Sequence, residues 1–202
     1  MNYGELKQAI ANRLGRSNLT AVIPDFVALA EPRIYQGFRD IEVSVPPLRV
    51  RALLAKETAS LATLPAGFLA VERLTVNDGA GPRSLEYVTP ERFANLAPTG
   101  FARYFTLQDG GIAVEGGTPA EFALSYYRRF PALVADSDTN WLLENFPTIY
   151  PYSALIEAYA HIKDDARIPT AARMYAAAAN GLIDADASER QSGSTLTIGA
   201  AR

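Results

Sequence analysis

Residues 104–115 read YFTLQDGGIAVE. Residues 104–107 and 112–115 are rich in aromatic and aliphatic side chains, and the dipeptide Asp109-Gly110 separates them. An Asp-Gly pair between two such runs is a strong local signal for a tight hairpin turn, because both central residues of that turn need a positive φ. This stretch therefore predicts a β-hairpin in the middle of the chain.

The β pattern extends outward from this hairpin over residues 43–131. Pro46 and Pro47 break the helical pattern that precedes it. Thr89 and Pro90 favour a short helix over residues 90–96, as its N-cap and its first residue. Further strands are predicted at residues 69–76, 84–88 and 120–127. Five or six short antiparallel strands with local turns predict a small sheet or sandwich.

Helical periodicity replaces the β pattern towards the N-terminus. Asn2 and Glu5 fit a capping box, and Gly15 fits the end of the first helix. Pro24 suits the first turn of a second helix, in which Pro32 predicts a kink or a restart. The predicted apolar faces consist of Tyr3, Leu6, Ile10 and Leu14, followed by Ile23, Phe26, Val27, Ala30, Ile34 and Phe38.

Two more helices follow the β region. Pro147 begins one that is expected to extend to about Lys163, and Pro169 begins the next. Their predicted inward residues are Ile149, Tyr152, Leu155, Ile156, Tyr159 and Ile162, then Ala172, Met174, Tyr175, Ala178, Leu182 and Ala185. From Gln191 onward, Leu196 and Ile198 are the large apolar residues. This segment cannot form a core alone, so we expect it to be disordered or ordered on a neighbour.

These patterns predict an α+β fold, a helical bundle with an inserted antiparallel β-sheet or sandwich and an extended C-terminal tail. The expected divisions are residues 1–42 and 132–190 for the bundle, 43–131 for the β subdomain and 191–202 for a flexible or docking tail.

Composition excludes several classes of function. The chain has 202 residues, 49% of them hydrophobic, so it can bury a core without disulfides. Because cysteine is absent, a disulfide framework, a thiolate metal site and a cysteine nucleophile are excluded. The net charge of −3 disfavours a protein dedicated to nucleic-acid binding. The sequence has no apolar run of 18 residues and no signal-peptide core, so we expect neither a membrane span nor export by that route.

Candidate chemical motifs each have a structural interpretation that is favoured over the functional one. His161 is the only histidine, and Asp164 and Asp165 could contact it on one helix, as a hydrolase would need; however, there is no Gly-x-Ser-x-Gly nucleophile motif. Residues 136–140 begin like a calcium loop, but the glycine and glutamate required further on are missing, so helix capping is favoured. The glycine pairs lack a phosphate-binding lysine and fit hairpin turns.

An aromatic and basic cluster occurs at residues 126–129. It could form a nucleic-acid patch with aromatic stacking, or simply the end of a strand with extended arginines, which is the favoured interpretation. Strand alternation places Tyr126 and Arg128 on one face and Tyr127 and Arg129 on the other.

An ordered series of stretches resembles the head–tail adaptor, or connector, proteins of tailed bacteriophages. The C-terminal stretches are TNWLL at 139–143, PTIYPYSALIEA at 147–158, KDDAR at 163–167, MY at 174–175 and LIDAD at 182–186. The N-terminal ones are YGELKQAI at 3–10, IPDFVALAE at 23–31 and RI at 33–34, and residues 64–71 and 119–127 are similar between them. The chain departs from the family at Pro32 and Pro151, where a helix former is typical.

This resemblance implies a structural virion protein without catalytic residues, cofactors or metals. Such adaptors form a ring of about twelve subunits under the portal protein, extend the DNA channel and offer a platform to the next tail or neck protein (a nozzle, stopper or tail terminator). The expected location is the connector of the virion, assembled in the host bacterial cytoplasm, with no membrane contact. DNA would pass through without specific binding, which suits a mildly acidic chain.

Under this hypothesis we expect partner contacts at Leu196 and Ile198, and a subunit or neck interface near Tyr126, Tyr127, Arg128 and Arg129. An alternative is a phage DNA-binding or packaging accessory protein, which would bind duplex DNA with a steep salt dependence. A hydrolase that depends on His161 is the third hypothesis.

Overall fold

The computed structural model describes residues 1–40, 43–48, 50–55, 61–77, 81–97, 101–116, 119 and 121–191. The chain divides into two compact units. One is built from Met1–Leu48 and Pro131–Arg202, and the other from Arg49–Phe130. We refer to them as the helical unit and the β unit. The fold is a mixture of helices and several antiparallel sheets, as the sequence predicts, and the tail at residues 192–202 lies outside the described residues.

The secondary structure in chain order is as follows: α1 (Tyr3–Leu14), a 3₁₀ helix (Ser17–Val22), α2 (Ile23–Gln36), β1 (Phe38–Arg39), β2 (Ser44–Val45), β3 (Val50–Ala55), β4 (Phe68–Asn77), β5 (Pro82–Ser84), β6 (Glu86–Tyr87), α3 (Pro90–Ala94), β7 (Tyr104–Gln108), β8 (Gly111–Val114), β9 (Glu121–Arg128), α4 (Trp141–Asn145), α5 (Ile149–His161) and α6 (Ile168–Gln191).

The first helix forms as its sequence predicts. The Asn2 side chain accepts a hydrogen bond from the backbone of Glu5, and the Glu5 carboxylate accepts one from the backbone of Asn2. Gly15 ends the helix in the left-handed conformation. All four residues of the predicted apolar stripe are buried. Capping and periodicity therefore account for α1 without reference to the rest of the chain.

The second helix, α2, is not interrupted by the proline in its interior. α2 continues through Pro32 as one helix, so the expected restart is not observed. It ends at Gln36 because Gly37 adopts a φ of 82°, and a side chain there would lie 2.7 Å from the Val45 carbonyl oxygen. Phe38 lies in β1, not on the helical face where the sequence placed it.

The helix α5 lies at the centre of the helical unit and packs against α1, α2 and α6. It ends at His161, earlier than predicted, because Lys163 takes a left-handed φ of 57°. The backbone N–H of Asp164 donates to the Tyr159 carbonyl, and that of Lys163 to the Ala160 carbonyl, which forms a Schellman motif. Residues 162–167 then turn the chain into α6.

The predicted inward face of α6 is confirmed in part, and Ala178, Leu182 and Ala185 are half-buried. Ala172 and Tyr175 are fully buried, as expected. Met174 is 48% exposed, because it lies about 100° around the helix from Tyr175. The short helix α4, which precedes α5, was not predicted at all.

The described residues of the β unit form two sheets. In the first, the strand order is β3-β9-β4-β5 with every pairing antiparallel. In the second, the order is β6-β7-β8, and β7 and β8 form the predicted hairpin, with Asp109 and Gly110 at positive φ. Residues 84–88 do not form one strand but divide between β5 and β6, and β6 pairs with β7 in parallel, contrary to the all-antiparallel prediction.

One apolar cluster joins the two sheets. Leu74 and Leu124 from the first sheet and Phe105 and Val114 from the second belong to it. The helix α3 begins at Pro90 with Thr89 as its N-cap, as predicted, and ends at Ala94.

Candidate interaction surfaces

Residues 136–140 belong to the second segment of the helical unit, and contacts from this stretch hold the start of α1. The backbone N–H of Tyr3 donates to the Asp138 carbonyl at 2.8 Å, and Lys7 pairs with Asp136. The Asp138 carboxylate accepts hydrogen bonds from the backbone N–H groups of Val134 and Ala135, and these bonds lower its pKa. Within the described part of the chain, no group of three or more His, Cys, Asp and Glu side chains could hold a metal ion.

Asn140 caps α4, in agreement with the capping interpretation of this segment. Its side-chain oxygen accepts a hydrogen bond from the Leu143 backbone N–H at 2.9 Å. Its amide nitrogen donates to the Pro131 carbonyl at 3.1 Å and to the Tyr150 hydroxyl at 3.0 Å. Tyr150 is fully buried, and burial raises the pKa of its phenol far above the usual value. Asn140 therefore links the start of α4 to the core.

His161 does not form the arrangement that a hydrolase would need. It is the last residue of α5, whereas Asp164 and Asp165 lie in the turn that follows. The His161 ring packs against Phe26 with a centroid distance of 5.3 Å. Asp164 pairs with Arg167 at 3.3 Å. The expectation that the histidine and its aspartates share one helix is therefore wrong.

The predicted cluster at residues 126–129 lies at the end of β9. Tyr126 is buried, and its ring stacks on Phe68 at a centroid distance of 5.8 Å. Tyr127 is half-buried, while Arg128 and Arg129 are exposed. Tyr126 therefore cannot present its ring to a partner, but the other three residues have accessible side chains. The two remaining predicted residues, Leu196 and Ile198, lie outside the described residues.

A half-buried ion pair between α2 and α5 was not predicted from the sequence. Arg33 donates to the Glu157 carboxylate, and the Arg33 guanidinium lies 4.5 Å from the centre of the Phe38 ring. Tyr175 of α6 donates to the Arg33 carbonyl at 3.4 Å, and burial raises the pKa of its phenol to about 12. This cluster ties three helices together. Because 124 positions separate the two charges, no local pattern in the sequence could reveal it.

A groove of about 330 Å³ runs between α5 and the first turns of α6. Tyr152, Leu155, Tyr159 and Met174 supply most of its apolar wall. Arg167 lines one side, with its guanidinium 5.8 Å from the Tyr159 ring. At the other end the guanidinium of Arg13, from α1, lies 5.6 Å from the Tyr152 ring. We call this feature the α5–α6 groove; it can accept an apolar side chain beside two cations.

The outer face of α2 carries an exposed leucine. Leu29 is 60% exposed, and Asp25, Pro32 and Gln36 share its side of the helix and are also exposed. We call these four residues the α2 face. A signal for it was present in the sequence, because the helical period that buries the predicted apolar face leaves Leu29 on the opposite side.

The β unit has a separate apolar groove of about 520 Å³. It lies between β4 and the second sheet, and Leu69, Val71, Leu85 and Leu107 contribute to its wall. Tyr87 lies at this groove with half of its surface exposed. Each unit thus offers an apolar depression of its own.

A family model described as "SU10 adaptor protein" matches residues 1–199. No curated protein sequence matches the chain. In the residues described by the structure, no helix is both long enough and apolar enough to cross a membrane.

Proposed function

Since this chain belongs to the SU10 adaptor protein family, a phage head–tail adaptor family, we propose that it forms a ring beneath the portal and links the capsid to the tail. The observation that carries this proposal is the extent of the family match, which includes both units and nearly the whole chain. Membership in this structural family implies a non-enzymatic protein of the virion. The ring would extend the DNA channel and would be assembled in the host bacterial cytoplasm.

Two compact units suit a protein that must contact two partners. In this proposal the portal protein binds one unit, and the next tail or neck component (a nozzle, stopper or tail terminator) binds the other. The β unit is a continuous insertion between two halves of the helical unit, and its own core holds its two sheets together. Its surfaces could therefore adapt to a tail partner without changes to the helical core.

Two segments would make partner contacts. Leu196 and Ile198 in the tail would anchor the chain to the portal or to a neighbouring subunit. At the end of β9, Tyr127, Arg128 and Arg129 would lie near a subunit or neck interface, while Tyr126 would support the strand from inside. The exposed arginines are also the residues on which the alternative function, DNA binding or packaging, would depend.

The net charge favours passage of DNA over its capture. With 19 basic and 22 acidic residues, the subunit has no excess of cations with which to release counterions from duplex DNA. Twelve such subunits around a channel would leave DNA free to move.

The proposal is tested by cryo-electron microscopy of the chain mixed with its candidate portal protein. A ring of this chain stacked coaxially on the portal is the expected result. Deletion of residues 191–202 should weaken portal binding and leave the unfolding transition unchanged. Unchanged binding after this deletion would reject the role of the tail. Portals that stay bare, together with retention of the chain on duplex DNA at low salt that is lost in Arg128→Ala, would favour the alternative.

A further inference from the structure

We propose that the α2 face of one subunit docks into the α5–α6 groove of a second copy, as the lateral contact between neighbours in a ring. This inference rests on the proposed ring, and it identifies the two surfaces that would close it. The contact is head-to-tail, because two different surfaces of the same chain meet. Such heterologous contacts are the kind that generate closed rings.

The two surfaces lie on opposite sides of α5. Glu157 and His161 of this helix face α2, where they contact Arg33 and Phe26. Tyr159 lines the groove. It is two residues from both Glu157 and His161, which corresponds to about 200° around a helix. The four residues of the α2 face are exposed, and none of them lines the groove. Each subunit can therefore contact one neighbour on each side.

Helix directions also agree with a rotation about an axis along the bundle. Contacts between Arg33 and Glu157 and between Phe26 and His161 show that α2 and α5 are antiparallel. The short turn at residues 162–167 makes α6 antiparallel to α5, so α2 and α6 point the same way. A rotation about an axis parallel to the helices would bring α2 of the neighbour alongside α6 with the same polarity.

Charge and shape specify the register of this parallel contact. With Leu29 in the groove beside Met174, Asp25 lies one turn earlier, towards Arg167. The groove has two guanidiniums at its rim, those of Arg13 and Arg167, and Asp164 is the carboxylate bound to the second. On α2, Arg33 is the one cation, and it points inward to Glu157. An α2 face with a carboxylate and no cation therefore complements the rim.

The outer surface of α6 beyond the groove is smooth enough for a second helix. In the parallel register, Pro32 and Gln36 of the neighbour lie over Ala178 and Gly181. A side chain built at Gly181 would meet no heavy atom of the described residues within 4 Å, so they leave this part of α6 open. Small residues there permit close approach of another helix. The contact would cover Leu29 and Met174, two of the large apolar side chains that the helical unit exposes.

Cysteine cross-linking tests the contact directly, because the chain has no cysteine of its own. Leu29→Cys and Met174→Cys are made as separate full-length variants and mixed in equal amounts with a short bismaleimide. We expect a covalent dimer linked between positions 29 and 174, at least tenfold more abundant than in either variant alone. A chain that carries both substitutions should give a ladder of higher oligomers. The reaction is run with and without the portal protein, and the link is identified by peptide mass spectrometry.

The control replaces the α2 cysteine with Val134→Cys, since Val134 is in the same unit and is even more exposed, at 78%. This pair should give no more cross-linking than single variants. Should Met174→Cys lower the thermal midpoint by circular dichroism, Thr170→Cys on the same groove wall takes its place. Equal yields from the control pair would overturn the inference, and so would no 29–174 link under either condition.

The experiment separates this inference from the proposed function. Rings on the portal without a 29–174 link would refute the contact and leave the adaptor function intact. A 29–174 link in a chain that never binds the portal would support the contact and count against the adaptor function.

Discussion

Replacement of Asn140 with alanine should destabilise the helical unit by about 2–4 kcal/mol. Loss of the cap on α4 contributes about 1 kcal/mol, because the Leu143 N–H loses its acceptor. Loss of the amide removes the donor shared by the Pro131 carbonyl and the buried Tyr150 hydroxyl, which costs about 1–3 kcal/mol more. The chain has a single tryptophan, and it is Trp141. Urea unfolding followed by its fluorescence therefore reports on this unit.

Two further variants separate the contributions. Asn140→Ser keeps an oxygen acceptor for the cap and loses the amide donor, so its stability should lie between those of the wild type and Asn140→Ala. Asn145→Ala is the matched control, because Asn145 also bonds through its amide, to the Trp141 carbonyl, but is exposed. We expect it to cost less than about 0.5 kcal/mol. If Asn140→Ala unfolds within that same margin of the wild type, the assigned role of this side chain is wrong.

Three other changes probe the helical unit. Glu157→Gln should lower the free energy of unfolding in urea by about 1–3 kcal/mol, because it leaves Arg33 half-buried without a counter-charge. The double variant Glu157→Gln with Arg33→Met should recover part of this loss. If the effects of the two single substitutions simply add, the two side chains do not interact directly. Gly37→Ala should lower the free energy of unfolding more than Gly15→Ala does in the same assay. Both glycines have a positive φ, but only at Gly37 would a Cβ lie 2.7 Å from a carbonyl oxygen of β2. Equal destabilisation by the two substitutions would contradict that clash. Because the pKa of Asp138 is lowered, its contribution to folding is complete above the usual carboxyl pKa of 3.8 and is lost as pH falls through the lowered value. The stability of Asp138→Asn should therefore fall less steeply with decreasing pH than that of the wild type. An unchanged acid transition would contradict this role of Asp138.

Local determinants made part of this fold predictable. The capping box of Asn2 and Glu5, the stop at Gly15 and the turn at Asp109-Gly110 each depend on residues within a few positions of one another. The structure has all of them. Patterns of this kind are decided by backbone geometry and capping, which a sequence carries explicitly.

Features that depend on distant residues were not predictable. The parallel pairing of β6 with β7 brings Glu86 opposite Tyr104, and no periodicity within either strand encodes that direction. Lys163 ends α5 in a left-handed conformation that is typical of glycine. The helix is therefore shorter at its C-terminus than its periodicity predicted. Met174 was assigned to the core because it is apolar, although its position on α6 points it outward.

The candidate surfaces were predictable to a smaller extent. Arg128 and Arg129 are exposed at the end of β9, as the strand-end interpretation predicts, but the burial of Tyr126 depends on Phe68 from another strand. The α5–α6 groove combines residues of two helices with an arginine from a third, Arg13. Such a surface exists only after the bundle has packed.

The discontinuity of the helical unit has a consequence for synthesis on the ribosome. Helices α1 and α2 emerge before α5, the helix that covers their apolar sides. The start of α5 lies about 110 residues after the end of α2, which corresponds to a delay of some 5–20 s at typical rates of translation. The β unit is continuous in sequence, so it can complete its own core during that interval. Nascent chains therefore pass through a stage with one finished unit and two unpaired amphipathic helices. At that stage the chain is most exposed to aggregation and most dependent on chaperones.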